Sequence, residues 1–402
     1  MDKFVHVDSL ENPYRPGAGT APPTLIGRDA LIDDFGVTIR RALARKPGKS
    51  LMPLGLRGVG KTVLLNRFAE IAANEGYRVA FIEAPETGDF RVLLAGQLRK
   101  VLLALDSGPV RRLVRSALQV LKSFTYTLPD GSTFQLDVEA AKGQGDSGDL
   151  ASDLTDLLGA VGQAAVEKSV GLLLAVDEVQ YLPSDHVGAL IAAIHRTTQL
   201  GLPVVFVGTG LPQLAGLAGQ AKSYAERLFN FPVIGSLVLE EAREALSIPA
   251  AEKGIVIKRE ALDLMVAESH GYPYFLQEWG YHVWNLAGSS PISVADVRAA
   301  RPTIIDQLDK NFFLVRFDRL TPKEREYLRA MATLGPGPHR SGDIAHELGV
   351  RVESVAPRRS ELIAKGMIYS PAHGDTAFTV PLFDEFLVRK MPDWPKKPRR
   401  AR

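Results

Sequence analysis

The sequence predicts an α/β chain: a parallel sheet with helices on both faces, then an all-helical segment, then a small module of three helices and a hairpin. Three observations predict it. Apolar strand-like runs such as GLLLAV and LPVVFVGTG alternate with helix-like stretches from Lys49 to about Val238, as strands buried on both faces do. From Leu239 to about Leu314 only helical periodicity remains. Beyond Thr321, three short helical patterns precede an alternating segment.

The elements follow in order. Residues 1–24, ending in GAGTAPPT, are an irregular lead-in, expected to be a linker because Gly and Pro interrupt regular structure. KSLMPLGL is a strand running into a Gly-rich turn, VLLNRFAEIAANEG a helix closed by Gly76, and RVAFIEAP a second strand. TYTLPDGSTFQLDV alternates around Pro129-Asp130-Gly131, which predicts an inserted β-hairpin near residues 124–138. A polar loop, AAKGQGDSGD, leads to the helix LASDLTDLLGAVGQAAVEK, the strand GLLLAV, a helix after Asp185, the strand LPVVFVGTG and a shorter strand near FNFPVIGSL. These elements make one domain over residues 25–238.

EEAREAL, REALDLMVAES and FLQEWGYHVWNLAG mark a helical domain over residues 239–314. LTPKEREYLRAMATLG, SGDIAHELGV and VESVAPRRSELIAKGMIYS then read as three helices, with DTAFTVPLFDEFLV as a hairpin-like segment and Gly349 at the turn. That order predicts a winged helix-turn-helix over 315–392, followed by a basic tail at 393–402.

Composition narrows the chemistry. With 402 residues, 46% hydrophobic and 23% charged, the chain has apolar material for several cores. It contains no Cys, which excludes disulfides, thiolate zinc sites and a cysteine nucleophile. MDKFVHVDSLENPYRPG lacks an apolar signal-peptide core, and no stretch approaches the roughly 18 apolar residues of a spanning helix. The expectation is a cytoplasmic protein with no membrane partner. The net charge is +2, and from Thr321 onward 15 Lys/Arg face 10 Asp/Glu. Lys396, Lys397, Arg399, Arg400 and Arg402 account for that excess, so the folded part of the C-terminal module is near neutral.

The strongest motif is Gly55-Leu56-Arg57-Gly58-Val59-Gly60-Lys61-Thr62, which fits G-x-x-x-x-G-K-[ST] between a strand and a helix and so predicts a P-loop NTPase sheet. Gly55, Gly58, Val59 and Gly60 lie where backbone N–H groups cradle phosphate oxygens, and Val63 continues the motif into the helix N-terminus, which favours anions. Lys61 would reach the β- and γ-phosphates of ATP, and the Thr62 hydroxyl would ligate Mg²⁺. Further on, Leu172-Leu173-Leu174-Ala175-Val176-Asp177-Glu178 is an apolar strand ending in two carboxylates, similar to a Walker B motif. Asp177 would hold the Mg²⁺ shell, Glu178 would polarise the attacking water, and Gln180 is a water-orienting neighbour. Thr209, closing Val204-Val205-Phe206-Val207-Gly208-Thr209-Gly210, either senses the γ-phosphate or belongs to a plain Gly-Thr-Gly turn.

These motifs together resemble the AAA+ ATPases, and among them the origin-recognition initiators and the STAND-like ATPases of prokaryotes. The resemblance covers most of the chain. It implies that Ile26, Gly27 and Arg28 contact adenine, that Gly271-Tyr272-Pro273-Tyr274 belongs to a helical lid over the nucleotide, and that a winged helix follows. It also implies an arginine finger acting on a neighbouring subunit of a homo-oligomer. Arg227 in SYAERLFNF matches that place, although an Arg there also suits an ordinary surface position. Many family members carry an arginine in the lid, whereas GYPYFLQEWGYHVW has none.

In a winged helix the third helix enters the DNA major groove, and here it would present Arg358, Arg359 and Lys365 beside Glu353 and Glu361. Two functions fit this mixed face. In the first, a nucleotide-dependent switch couples ATP binding and hydrolysis to double-stranded DNA through the winged helix. In the second, a slow-turnover signalling or scaffold ATPase recruits a protein partner with the same module.

Overall fold

The computed structural model describes residues 6–17, 19–46, 48–106, 112–128, 136–372 and 374–394. The chain divides into two compact units, one of Arg28–Gly55 and Lys61–Ile234, the other of Met1–Gly27, Leu56–Gly60 and Gly235–Arg402. The basic tail from residue 395 lies outside the described residues.

The first unit is a five-stranded parallel sheet flanked by helices. After α1 (Asp29–Leu43) come β1 (Ser50–Leu51), α2 (Lys61–Asn74), β2 (Tyr77–Glu83), α3 (Phe90–Leu105), α4 (Arg112–Thr125), α5 (Leu150–Glu167), β3 (Gly171–Asp177), α6 (Ser184–Gln199), β4 (Val204–Gly208), α7 (Leu214–Ala221), α8 (Ala225–Leu228) and β5 (Phe229–Asn230). The strand order is β2-β3-β4-β1-β5. All of its pairings are parallel, with β3 in register against β2 from Tyr77↔Gly171 to Glu83↔Asp177. Every residue of β3 and β4 is buried, as strands covered on both faces must be. Pro53 offers no N–H, yet pairing resumes at Leu54, whose N–H donates to Pro232 O (2.8 Å) and whose carbonyl accepts from Ile234 N (2.7 Å). The sheet thereby carries β1 up to Gly55, the glycine that opens the turn Gly55–Thr62.

Two helices add to the sequence expectation, and one segment differs from it. Residues 90–105 and 112–125 are helices, the first capped by Asp89, whose side chain accepts from Arg91 N. The hairpin expected near 124–138 falls in part on residues 129–135, outside the described residues, but its flanks are not strands. Phe124 and Thr125 end α4 with their side chains buried, because that face packs into the core, and 126–128 turn away. Lys122 Nζ donates to Val138 O, fastening the returning chain to the helix without a ladder.

The second unit contains α9 (Leu239–Glu252), α10 (Arg259–Ser269), α11 (Pro273–Leu286), α12 (Val294–Gln307), a π-helical turn at Leu308–Phe313 and α13 (Leu314–Asp318). Its lead-in is not a loose linker. Tyr14 is buried, its hydroxyl donates to Leu246 O (2.5 Å), and Trp284 Nε1 donates to Asp8 O (2.8 Å). Gly280 permits this, because a Cβ there would lie 2.5 Å from the Tyr14 ring.

The unit continues through α14 (Pro322–Thr333), β6 (His339–Arg340), α15 (Ser341–Glu347), α16 (Ala356–Ala364), β7 (Ile368–Tyr369), β8 (Asp375–Phe378) and α17 (Phe383–Lys390). The strands form an antiparallel sheet in the order β6-β8-β7. DTAFTVPLFDEFLV is therefore half strand and half helix, because Phe383, Phe386 and Leu387 recur at helical spacing and are all buried. Among the described residues no helix is long and apolar enough to cross a membrane.

Candidate active site

The ends of β3 and β4 and the start of α2 bring the titratable candidates together. Asp177, the last residue of β3, is buried, and both of its oxygens are engaged. The Thr62 hydroxyl donates to Oδ2 (2.5 Å), the Thr209 hydroxyl donates to Oδ1, and the Glu178 N–H donates to the same Oδ1 (2.9 Å). Thr209 is held in place by its own N–H on Val176 O and by Val179 N–H on its carbonyl, both 2.9 Å. Thr62 and Asp177 thus supply adjacent hard oxygen donors, the type Mg²⁺ prefers.

Glu178 follows in a left-handed conformation (φ 53°, ψ 42°), rare for a residue with a side chain and typical of sites where function holds strain in place. Its Oε1 lies 3.9 Å from Lys61 Nζ. Lys61 is buried (4% exposed), so its ammonium needs an anionic neighbour, and Glu178 is one. The second carboxylate oxygen accepts from Gln180 Nε2, while Gln180 Oε1 accepts from Leu211 N (3.1 Å). The sequence marks Gln180 as an orienter of water; the geometry makes it a clamp on Glu178. The clamp depends on Gly210, where a Cβ would stand 2.6 Å from Gln180 Oε1. The sequence shows Gly210 only as the close of a turn, so this role was not visible there.

Gly55 is buried, and its N–H donates to Gly210 O (3.0 Å). Gly58 and Gly60 adopt φ of 88° and 92°, the left-handed values that turn successive N–H groups toward one side of the loop. A Cβ on Gly60 would meet nothing within 4 Å, whereas one on Gly58 would lie 3.0 Å from the Tyr272 ring and 3.3 Å from Tyr274 Cβ. The buried Val59 lies between them, and Val63 is half-buried in the first turn of α2.

Within the second unit, Leu56–Gly60 meets the Gly271–Tyr274 segment. The Tyr272 hydroxyl donates to Arg57 O, and the Tyr274 N–H donates to Gly58 O (3.2 Å). Pro273 occupies the first turn of α11, where its fixed φ suits a helix start. No arginine lies in that segment, yet Arg316 stands close by. Its guanidinium lies 3.9 Å over the Phe312 ring and donates to Phe312 O (2.6 Å). Burial, and next the charge of Arg57, push the Arg316 pKa down to about 10.

The remaining candidates are more dispersed. Ile26 and Arg28 are half-buried, and Gly27 (φ 70°) lacks a Cβ that would strike the Glu241 carboxylate at 2.7 Å. Arg227 is exposed on α8. Arg358 is half-buried, but Arg359 donates to Thr376 Oγ1 (2.9 Å), Ser370 Oγ (2.7 Å) and Asp375 O (2.9 Å). Lys365 pairs with the buried Glu324 at 2.7 Å.

Comparison with known proteins bears on the fold. Residues 24–207 match the family described as AAA ATPase domain, and residues 310–387 match one described as a domain of unknown function, DUF8462. No curated protein matches. Among solved structures, the Walker-type ATPase PABY2304 of Pyrococcus abyssi is similar at 16% identity, covering 93% of this chain and 98% of that one, with a TM-score of 0.57. Cdc6p from Pyrobaculum aerophilum is similar at 15% identity, 96% and 99% coverage and a TM-score of 0.48. The Aeropyrum pernix ORC1 protein, solved in complex with DNA, is similar at 16% identity, 92% and 94% coverage and a TM-score of 0.46. Motif, strand order and family match converge: residues 24–207 of this chain match the AAA ATPase domain and carry the P-loop NTPase fold.

Proposed function

We propose that the chain is an ATP-dependent switch whose nucleotide state governs a C-terminal winged helix that binds double-stranded DNA. The observation that carries the ATPase half is the shared carboxylate of Asp177, which gathers the Thr62 and Thr209 hydroxyls beside the Lys61–Glu178 pair. Thr62 and Asp177 would hold Mg²⁺, which when bound neutralises phosphate charge during transfer. Lys61 binds phosphate oxygens, and these compete with Glu178 for its ammonium. Glu178, kept in place by Gln180, then polarises the attacking water. Thr209 reports the γ-phosphate through Asp177, and the exposed Arg227 acts on the site of a neighbouring copy.

The DNA half is supported by the element order of residues 315–392. Helix α14, strand β6, helices α15 and α16 and the antiparallel β7–β8 pair follow one another as in a winged helix. A second reading, recruitment of a protein partner by a slow ATPase, is favoured by the internal engagement of Arg359 and Lys365, which leaves Arg358 to carry the basic face of α16.

One experiment separates the readings: ATP hydrolysis by the wild type and by Glu178→Gln, with and without double-stranded DNA, at low and moderate salt. DNA-stimulated turnover that the variant loses while still binding ATP supports the switch. Measurable turnover unaffected by DNA at either salt discards the DNA half, and turnover undiminished in Glu178→Gln discards Glu178 as the water-polarising group.

A further inference from the structure

We infer that Tyr272 is a positioning residue for the phosphate-binding loop, fixing from outside the direction in which the loop's N–H donors point. The inference rests on the ATP-binding reading of Gly55–Thr62 and adds a residue that the motif does not contain. A trans peptide is planar, with its N–H and C=O facing opposite ways. Whatever holds a loop carbonyl therefore also aims the N–H of the next residue. The Tyr272 hydroxyl holds Arg57 O and so aims the Gly58 N–H; the Tyr274 N–H holds Gly58 O and so aims the Val59 N–H. Two consecutive peptide planes are pinned from one tetrapeptide.

The pins are themselves rigid. Tyr272 is 1% exposed, and burial raises the pKa of its hydroxyl, so it remains a donor throughout the physiological range. Its N–H is tied to Ser269 O (3.0 Å), and its ring contacts Phe275 at a centroid distance of 5.2 Å. Tyr274 stacks on Phe312 at 4.6 Å, and its hydroxyl donates to Glu278 (2.6 Å). Glycine at position 58 is required twice, once for its φ and once because a Cβ would press on both tyrosines. A loop whose donors already face the phosphates binds nucleotide without first losing conformational freedom.

The test uses the full chain and mant-ADP with Mg²⁺ as the probe, measuring its Kd, the thermal midpoint without nucleotide, and kcat and KM for ATP. Tyr272→Phe removes only the hydroxyl, and Tyr77→Phe, which removes a buried hydroxyl that donates to Ile39 O (2.7 Å) away from the loop, is the control. The expected result is a Kd and a KM raised about 5- to 10-fold in Tyr272→Phe, the factor matching the loss of one net hydrogen bond, with kcat within about twofold. Tyr77→Phe keeps the wild-type Kd and KM. A Tyr272→Phe chain that binds mant-ADP as tightly as the wild type overturns the inference, and so does a weakening equalled by Tyr77→Phe. Failure of the wild type to bind at all would overturn instead the ATP reading on which it rests. Hydrogen exchange on the unaltered chain gives an independent check should Tyr272→Phe not fold. Mant-ADP should slow exchange in residues 271–276 along with 56–60, and protection confined to 56–62 would refute the link.

Discussion

At the scale of single residues, the site is organised by side chains that touch Asp177 and Glu178. Removing the Thr209 hydroxyl takes one of the three hydrogen bonds from a buried carboxylate. Thr209→Val is expected to lower kcat about 10- to 100-fold, the range for a hydrogen bond to a charged group, measured as steady-state phosphate release. The Gln180 clamp gives a second prediction. Gly210→Ala places a Cβ against Gln180 Oε1, so it should reproduce the kcat loss of Gln180→Leu, with nucleotide affinity preserved in both. A Gly210→Ala enzyme with normal turnover would show that Glu178 holds its place without Gln180. The letters of Gly55–Thr62 and Asp177–Glu178 were legible in the sequence because each group is contiguous and follows an apolar strand. The roles of Gly210 and Tyr272, and the anchorage of Gln180 on Leu211, were not, because each arises from a contact between segments distant in sequence.

At the scale of elements, the long apolar strands of the sheet were readable and the insertion after β2 was not. Residues 90–105 bury Phe90, Leu94, Leu98, Val101, Leu102 and Leu105 at helical spacing and leave Arg91, Arg99 and Lys100 off that face, whereas the path of the chain beyond α4 follows no such period. In the lead-in, Gly and Pro point to irregular backbone but say nothing of docking, which depends on a tyrosine meeting a glycine far along the chain. Tyr14→Ala should destabilise the chain by about 3–5 kcal/mol, as for other buried aromatics, seen as a lowered denaturant midpoint. The Glu324–Lys365 pair gives a pH prediction. Burial works to raise the Glu324 pKa, but the hydrogen bonds and charge of Lys365 and Thr321 outweigh it, and the net shift is downward. A carboxylate with a depressed folded pKa stabilises above its unfolded value, near about 4.3, and that contribution fades as pH falls through the folded one. The thermal midpoint of Glu324→Gln should therefore vary less with pH below about 5 than that of the wild type.

At the scale of the whole molecule, the question is whether the C-terminal module meets nucleic acid, and charge decides how that would look. Apart from residues 396–402 the module is near neutral, and affinity for DNA comes mostly from phosphate contacts. Two adjacent arginines make opposite predictions. Arg359 donates to two hydroxyls and a carbonyl that fasten α16 to the segment around β8, so Arg359→Ala should lower the thermal midpoint whether or not DNA is a ligand. Arg358 is half-buried, and its substitution should leave the melt unchanged. If it touches a phosphate, Arg358→Ala weakens binding to all duplex sequences alike and reduces the salt slope of log K by about 1. A variant with an unchanged melt and an unchanged salt slope would leave the module without its basic contact, and protein recruitment would then be the better account of residues 315–392. Truncation before Lys396 isolates the tail in the same titration: its five cations would contribute up to about 4.5 to the slope if all were on phosphates, far more than Arg358 alone.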